Sequence, residues 1–480
     1  MSLQQAALRF ALPHPALLCF ALLLCGGCTM IPEYVRPEPP VPPAWPEATA
    51  PAGGPPDAEP AAAPAVEIGW QEYFTDPRLR SVIELALANN RDLRVATLNI
   101  ERARALYRIQ RAESNPGVGV LASGDVVRIP ERFDTEGRAS IQEQYAVQAG
   151  TISWEIDLFG RLRSLNAAAL EQYLATEEAR RAGQIALVAG TASAWLALAA
   201  DLESLGISQS TLEAQQVTLD LVRQSSDLGM TSDLDVRQAE SQVELTRASV
   251  ARYTGLVAVD RNALDLLAGT PVAADLLPDG LSAVTAIEGV APGLPSEVLL
   301  GRPDILVAEH ELRAANANIG AARAAFFPRI SLTAGAGTMS PDLSGLFGAG
   351  TRTWSFVPQI VAPIFASGSL RANLAATKVE REIAVAQYEK AIQVAFSEVS
   401  DGLTLRATLA AQQEAEAALV KALEEAYRLS EARYQAGMDG YLGVLVAQRS
   451  LFAAQQALVN VRLAEQVNLV TLYKALGGGG

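Results

Sequence analysis

Between Thr151 and Gly160 the chain reads TISWEIDLFG, with Ile152, Trp154, Ile156 and Leu158 on one side of an extended backbone and Thr151, Ser153, Glu155 and Asp157 on the other. Period-two alternation marks a strand with one apolar and one polar face. Four such stretches occur in two pairs, near Val118–Ile129 and Tyr145–Leu158, then near Ile330–Met339 and Trp354–Phe365. In the third, Ile330, Leu332, Ala334 and Ala336 oppose Ser331, Thr333, Gly335 and Gly337; in the fourth, Trp354, Phe356 and Ile360 share a face. The second changes phase around Gly150, where a bulge or a membrane boundary is expected. A polar or Gly-rich loop joins each pair, PERFDTEGRAS in one and SPDLSGLFGAG in the other.

Most of the remaining chain carries a helical period. Structure is expected from Trp70, and Asp76-Pro77 supplies a cap followed by proline at the first helical position. The body repeats: the stretch from Val95 lies over the stretch from Val307, with Asp92/Asp304, Ala103/Ala315, Arg111/Arg323 and Pro116/Pro328 coinciding. Later, Gly229-Met230 lies over Gly437-Met438, Leu234 over Leu442 and Gly269 over Gly477. After each glycine turn comes a 4-3 apolar seam, Ala239-Val243-Thr246-Val250-Tyr253-Val257-Asp260-Leu264-Leu267 and Ala447-Leu451-Ala454-Leu458-Val461-Glu465-Asn468-Leu472-Ala475. Gly368 and Gly437 enclose about 68 residues with no proline and a single glycine, Gly402. As helix that run measures roughly 100 Å, and the return from Val444 to Leu476 roughly 50 Å. Such rods must pair with others alongside.

Strands of about ten residues match the tilted staves of a membrane barrel. A soluble sheet packed on helices would alternate too. The helices on offer are thin and Ala-rich, however, and Tyr145, Trp154, Phe159, Phe326, Phe327, Trp354 and Phe365 gather toward strand ends like an interfacial girdle. Four strands cannot close, because the smallest spanning barrels have about eight, and an open edge in lipid leaves backbone groups unsatisfied. Staves in a membrane must therefore be shared between chains.

Composition narrows the chemistry. Of 480 residues, 50% are hydrophobic but only 6% aromatic, which suits closely packed thin helices. The N-terminus carries Arg9 and then an apolar run, Ala16–Gly27, too short to span a membrane as a helix. It ends LLLCGGC, where small residues before Cys28 resemble a lipobox; an ordinary secretory signal and acylation at Cys25 are the alternatives. Thr29 stands where an Asp would hold lipoproteins at the inner membrane, which favours an outer-membrane address. Ile31–Pro64, rich in Pro and Ala, reads as an extended tether. The resulting division is signal 1–27, lipidated tether 28–68, first repeat 69–285 and second repeat 286–480. All three cysteines (Cys19, Cys25, Cys28) and His14 lie within the first 28 residues, so the mature chain has no disulfide, no Cys-based zinc site and no histidine pair. His310, in a helical pattern, reads as a packing residue, and nothing beside it resembles a catalytic triad. No metal and no enzymatic activity are expected. Removing Arg9 with the signal takes the net charge from −15 to −16, which argues against nucleic acid and, along a duct, favours cations.

IPEYVRP, NNRDLRVA, SWEIDLFGRLR, GLPSEVLLGRPDILVAEHELRAANANIGAARAAFFPRISL, SLRANLAA, RYQAGMDGYLGVLVAQRSLFAAQQAL and LYKALGGG resemble the TolC-type outer-membrane efflux channels, in the lipoprotein (NodT/OprM-like) branch serving RND multidrug pumps. The resemblance covers nearly the whole mature chain. It implies a fold that is mostly α with a membrane β-barrel: a homotrimer whose twelve-stranded barrel continues into a twelve-helix periplasmic α-barrel, two structural repeats per chain. It also implies a periplasmic adaptor and an inner-membrane RND pump as partners, outer-membrane lipid around the barrel, and a covalent lipid on Cys28 with no other cofactor. By position, Leu442 matches the constricting apolar ring at the periplasmic end and Tyr434 a residue tying neighbouring helices together. Asp235 is the candidate acidic partner, and Ser232-x-x-Asp235 reads equally as a capping box. Val446 stands where related channels often place an Asp ring, so cation binding there is not implied. The turns Gly229, Met230, Thr231 and Gly437, Met438, Asp439, Gly440 are the expected adaptor contacts; Gly229 and Gly437 end one helix, and Ser232 and Asp439 are expected to cap the next. Passive export of drugs or other toxic solutes follows. The rivals are an outer-membrane duct for type I protein secretion, a lipid-anchored coiled-coil scaffold and an anchored hydrolase.

Overall fold

Helix, strand pair and long helices come in two rounds. The computed structural model describes residues 29–43, 45, 68–133, 137–281 and 296–478, with the backbone alone at 296–298. The signal, Cys28, most of the tether and the join at 282–295 lie outside the described residues. The first round is α1 (Trp70–Tyr73), α2 (Pro77–Asn89), α3 (Arg91–Ala112), β1 (Gly119–Ile129), β2 (Ser140–Glu155), α4 (Arg161–Asp227) and α5 (Asp233–Ala268). The second is α6 (Pro303–Ala324), β3 (Arg329–Ser340), β4 (Arg352–Val361), α7 (Ser369–Gln435) and α8 (Tyr441–Ala475). Asp76 caps α2 as the sequence requires, its carboxylate accepting from the amides of Arg78 and Leu79 at 2.8 and 3.3 Å with Pro77 in the first turn.

The uninterrupted 67-residue α7 matches the proline-free run. Its counterpart α4 is equally long despite Gly183, Gly190 and Gly206, each of which costs about 1 kcal/mol against alanine. Burial of Ile185, Val188, Trp195, Leu196 and Leu198 outweighs that cost. Both long helices take part in two compact units.

The first unit comprises the described parts of Met1–Pro37, Ile100–Ala175 and Ala308–Tyr388. Its centre is an antiparallel sheet in the order β1-β2-β3-β4. Opposed residues share a face. Val120, Ala149, Ala336 and Trp354 form one row, continued by Phe356 and Ile360; Leu121, Gln148, Gly337 and Thr353 form a row on the other face, with Ser355 and Gln359. The apolar row is bare: Val120 is 74% exposed, Trp354 78% and Ile360 66%. The expected bulge is present. Thr151 opposes Ala334 but Trp154 opposes Leu332, so β2 carries one extra residue and its apolar positions move from odd to even numbers. Ser153 takes φ +54° there, with its amide donating to Thr333 Oγ1 at 3.0 Å.

Two strands differ from expectation in their limits. β2 starts at Ser140 and stops at Glu155, so Ile156 and Leu158 lie beyond it, although the Ile156 amide still donates to the Ile330 carbonyl at 2.8 Å. β4 ends at Val361, not Phe365: Pro363 has no amide proton to extend the ladder. The start of the tether is extended but docked. Ile31 packs with Ala168, Ala314 and Ala317, the Asn316 amide donates to the Pro32 carbonyl, and Arg36 and Tyr34 reach Glu309.

The second unit is the described part of Glu38–Asn99, Thr176–Val307 and Glu389–Gly480. Tyr73 and Tyr473 stack at 3.9 Å and donate to the carbonyls of Leu469 and Ile68. Arg302, 6% exposed, bonds Asp304, Glu398 and the Ala475 carbonyl, tying α6, α7 and the end of α8 together. Every member of the two seams is buried or partly so.

Candidate functional site

The two helix-to-helix turns of the second unit are built alike. At the end of α4 the Gly229 amide donates to the Ser226 carbonyl and the Met230 amide to Ser225, each at 2.8 Å. At the end of α7 Gly437 bonds Tyr434 and Met438 bonds Arg433, at 2.9 and 3.0 Å. This paired bonding closes a helix only when the residue after it turns left-handed. Gly229 and Gly437 have φ +73° and +70°, so both positions demand glycine.

Beyond the glycines the turns diverge. Ser232 caps α5 in a reciprocal box: its hydroxyl accepts from the Asp235 amide at 3.2 Å, and the Asp235 carboxylate accepts from the hydroxyls of Ser232 (2.6 Å) and Thr231 (2.9 Å). Those bonds, chiefly from Ser232, hold the Asp235 carboxyl below its usual range. Asp439, which the sequence led us to expect as the cap of α8, does not cap it. Gly440 occupies the cap position with no side-chain bond, and Asp439 pairs instead with Arg433, one contact at 3.0 Å, which keeps its own carboxyl low. A guanidinium six residues back competes better for the carboxylate than the helix amides do.

Leu442 (54% exposed) and Val446 (49%) share the bare side of α8, and Met230 and Met438 are exposed at the two turns. Tyr434 is half-buried, its ring centroid 5.5 Å from that of Tyr441. Burial, then the Asp235 charge, pushes the Tyr434 hydroxyl up in pKa. Tyr441 is more deeply placed: burial first, then Tyr434, Tyr427 and Asp235, raises it to about 12. It packs with Leu219, Val222, Val236 and Ala239. Sequence reasoning passed over Tyr441, though its aromatic side chain next to a glycine cap was a signal of a buried anchor.

Away from the turns, His310 Nδ1 lies 2.6 Å from the Glu171 carboxylate. Among the described residues no group of three or more His, Cys, Asp or Glu is placed to hold a metal. Cys28 lies outside the described residues.

Four membrane-length strands with a bare apolar face, joined to paired helices of 67 residues, define the class: outer-membrane channels that carry solutes through a wall of strands and helices. The chain belongs to the outer membrane efflux protein family, whose model matches residues 82–270 and again 294–478. It is 49% identical over 463 residues to a toluene efflux pump outer membrane protein, TtgC, of Pseudomonas putida, covering 96% of this chain and 95% of that protein. Among solved structures, a membrane protein from Pseudomonas aeruginosa superposes with a TM-score of 0.87 at 42% identity, covering 94% of this chain and 98% of that one. The open state of the MtrE outer membrane channel of Neisseria gonorrhoeae gives 0.84 at 38% identity, covering 94% and 98%. The protein is thus an outer-membrane efflux duct, a member of a family of transport channels.

Proposed function

We propose that three copies of this chain close a twelve-stranded barrel in the outer membrane, and that their long helices form a tube into the periplasm whose turns close it until an inner-membrane pump engages. The supporting observation is the sheet: β1 and β4 are edges, and its exposed apolar face suits lipid. The duct performs no chemistry. Its cargo is small toxic solutes, by analogy with the relative named for toluene efflux. Leu442 from three chains meets as an apolar ring, with Val446 one turn further on completing a dry plug. Tyr434 and Asp235 support the closed turns from behind. A periplasmic adaptor contacts Gly229–Thr231 and Gly437–Gly440, beside exposed Met230 and Met438. A lipid on Cys28 anchors the docked strap.

The mass of the detergent-purified protein and its current in planar bilayers test the reading. A trimer that conducts, with Leu442→Ser raising the current of the closed state, supports it; a monomer that passes no current favours the scaffold. Loss of protein secretion with unchanged solvent and drug tolerance on deleting the gene would move the cargo to polypeptides.

A further inference from the structure

Tyr441 opens α8 and is 4% exposed, while the adjacent Leu442 is 54% exposed. Successive helical residues point about 100° apart, so α8 begins with a buried wall and a bare wall. Tyr441, Val444, Leu445 and Gln448 lie on the first; Leu442, Val446 and Arg449 lie on the second. The α5 start is set by its capping box, but α8 has no side-chain cap, and Arg433–Asp439 holds only the loop before it. Packing is what remains to set the direction in which the first turn of α8 faces. The side chain supplying it is the ring of Tyr441, beside that of Tyr434 and in one buried cluster with Val222 of α4 and Val236 of α5.

The geometry points to Tyr441 as a positioning residue for the aperture: its ring keys the first turn of α8 onto α4 and α5, and so holds Leu442 out on the bare wall. The inference rests on the reading of Leu442 as the aperture residue. Shape carries the effect, so phenylalanine substitutes for tyrosine and alanine does not. A first turn free to rotate takes Leu442 out of register with its copies, and water enters.

The full-length assembled protein is measured in planar bilayers as Tyr441→Phe, Tyr441→Ala, Leu442→Ser and the Tyr441→Ala/Leu442→Ser double variant. Tyr441→Phe keeps the wild-type closed-state current. Tyr441→Ala and Leu442→Ser each raise it several-fold, and the double variant conducts no more than the leakier single one. An unchanged current in Tyr441→Ala, or a double variant in which the two increases multiply, overturns the proposal. A silent Leu442→Ser with a leaky Tyr441→Ala removes the aperture reading itself, and the proposal with it. If Tyr441→Ala does not assemble, Tyr441→Leu, which keeps bulk without the ring's shape, takes its place in the same comparison.

Discussion

Gly437 shows how one residue can decide a turn. With φ +70° and amides bonded back to Tyr434 and Arg433, the site excludes a β-carbon for backbone reasons alone, since none of its surroundings would collide with one. Gly437→Ala is expected to cost about 1 kcal/mol, seen as faster amide exchange confined to the α7–α8 turn. Asp201 is a second such residue. Burial, then the facing Asp260, raises its carboxyl to about 6, with Arg252 pulling the other way. A carboxyl raised in the folded state binds protons more tightly than in the unfolded chain, so its favourable contribution is complete below the ordinary carboxylate range and is lost as pH climbs through about 6. The melting temperature should therefore rise between about pH 7.5 and 5, and Asp201→Asn should melt higher than wild type at about pH 7.5 with a flatter profile. Equal melting of the two at the higher pH would contradict this. Both turn glycines and the Asp235 box were legible in the residues. Asp201 was not, because its partner comes from a helix about sixty positions away and no local pattern joins them.

At the scale of the element, β2 is the informative case. Its extra residue at Thr151–Trp154 moves Trp154 onto the apolar face, which a strand of fixed period could not do. Deleting Ser153 should remove the bulge and leave Trp154 opposite Leu332 on the apolar face of a strand with regular period. The heat-stable oligomer should then persist on gels of the outer-membrane fraction; loss of that band would contradict a single extra residue at this position. The phase change was readable near Gly150, while the strand's start at Ser140 was not, since IQEQ offers little apolar alternation and gains its pairing from β1. Helix α5 tests the cap: Ser232→Ala should destabilise its first turn by about 1 kcal/mol, read by exchange of the Asp235 amide. The length of α4 escaped sequence reading because its three glycines look like interruptions until their neighbours' burial is known.

For the whole molecule the governing fact is a sheet with two unpaired edges. β1 and β4 expose ladder groups that water can satisfy and lipid cannot. Shielding those edges by self-association predicts that detergent-purified protein runs as a trimer, and that charge at Val120 and Ile360 on the apolar face (Val120→Lys with Ile360→Lys) lowers its yield in the membrane fraction; equal yield would count against a lipid-facing row.

The residues alone determined the four strands, the apolar seams and the glycine turns, because each depends on neighbours within a few positions and on a backbone period. Tertiary structure decided which groups those elements bring together. It gave Asp439 to Arg433 in place of a helix cap, buried Tyr441 while leaving Leu442 bare, and docked the start of the tether on α6. Such outcomes turn on competition between distant partners for one site, and that competition is resolved only when the chain is packed.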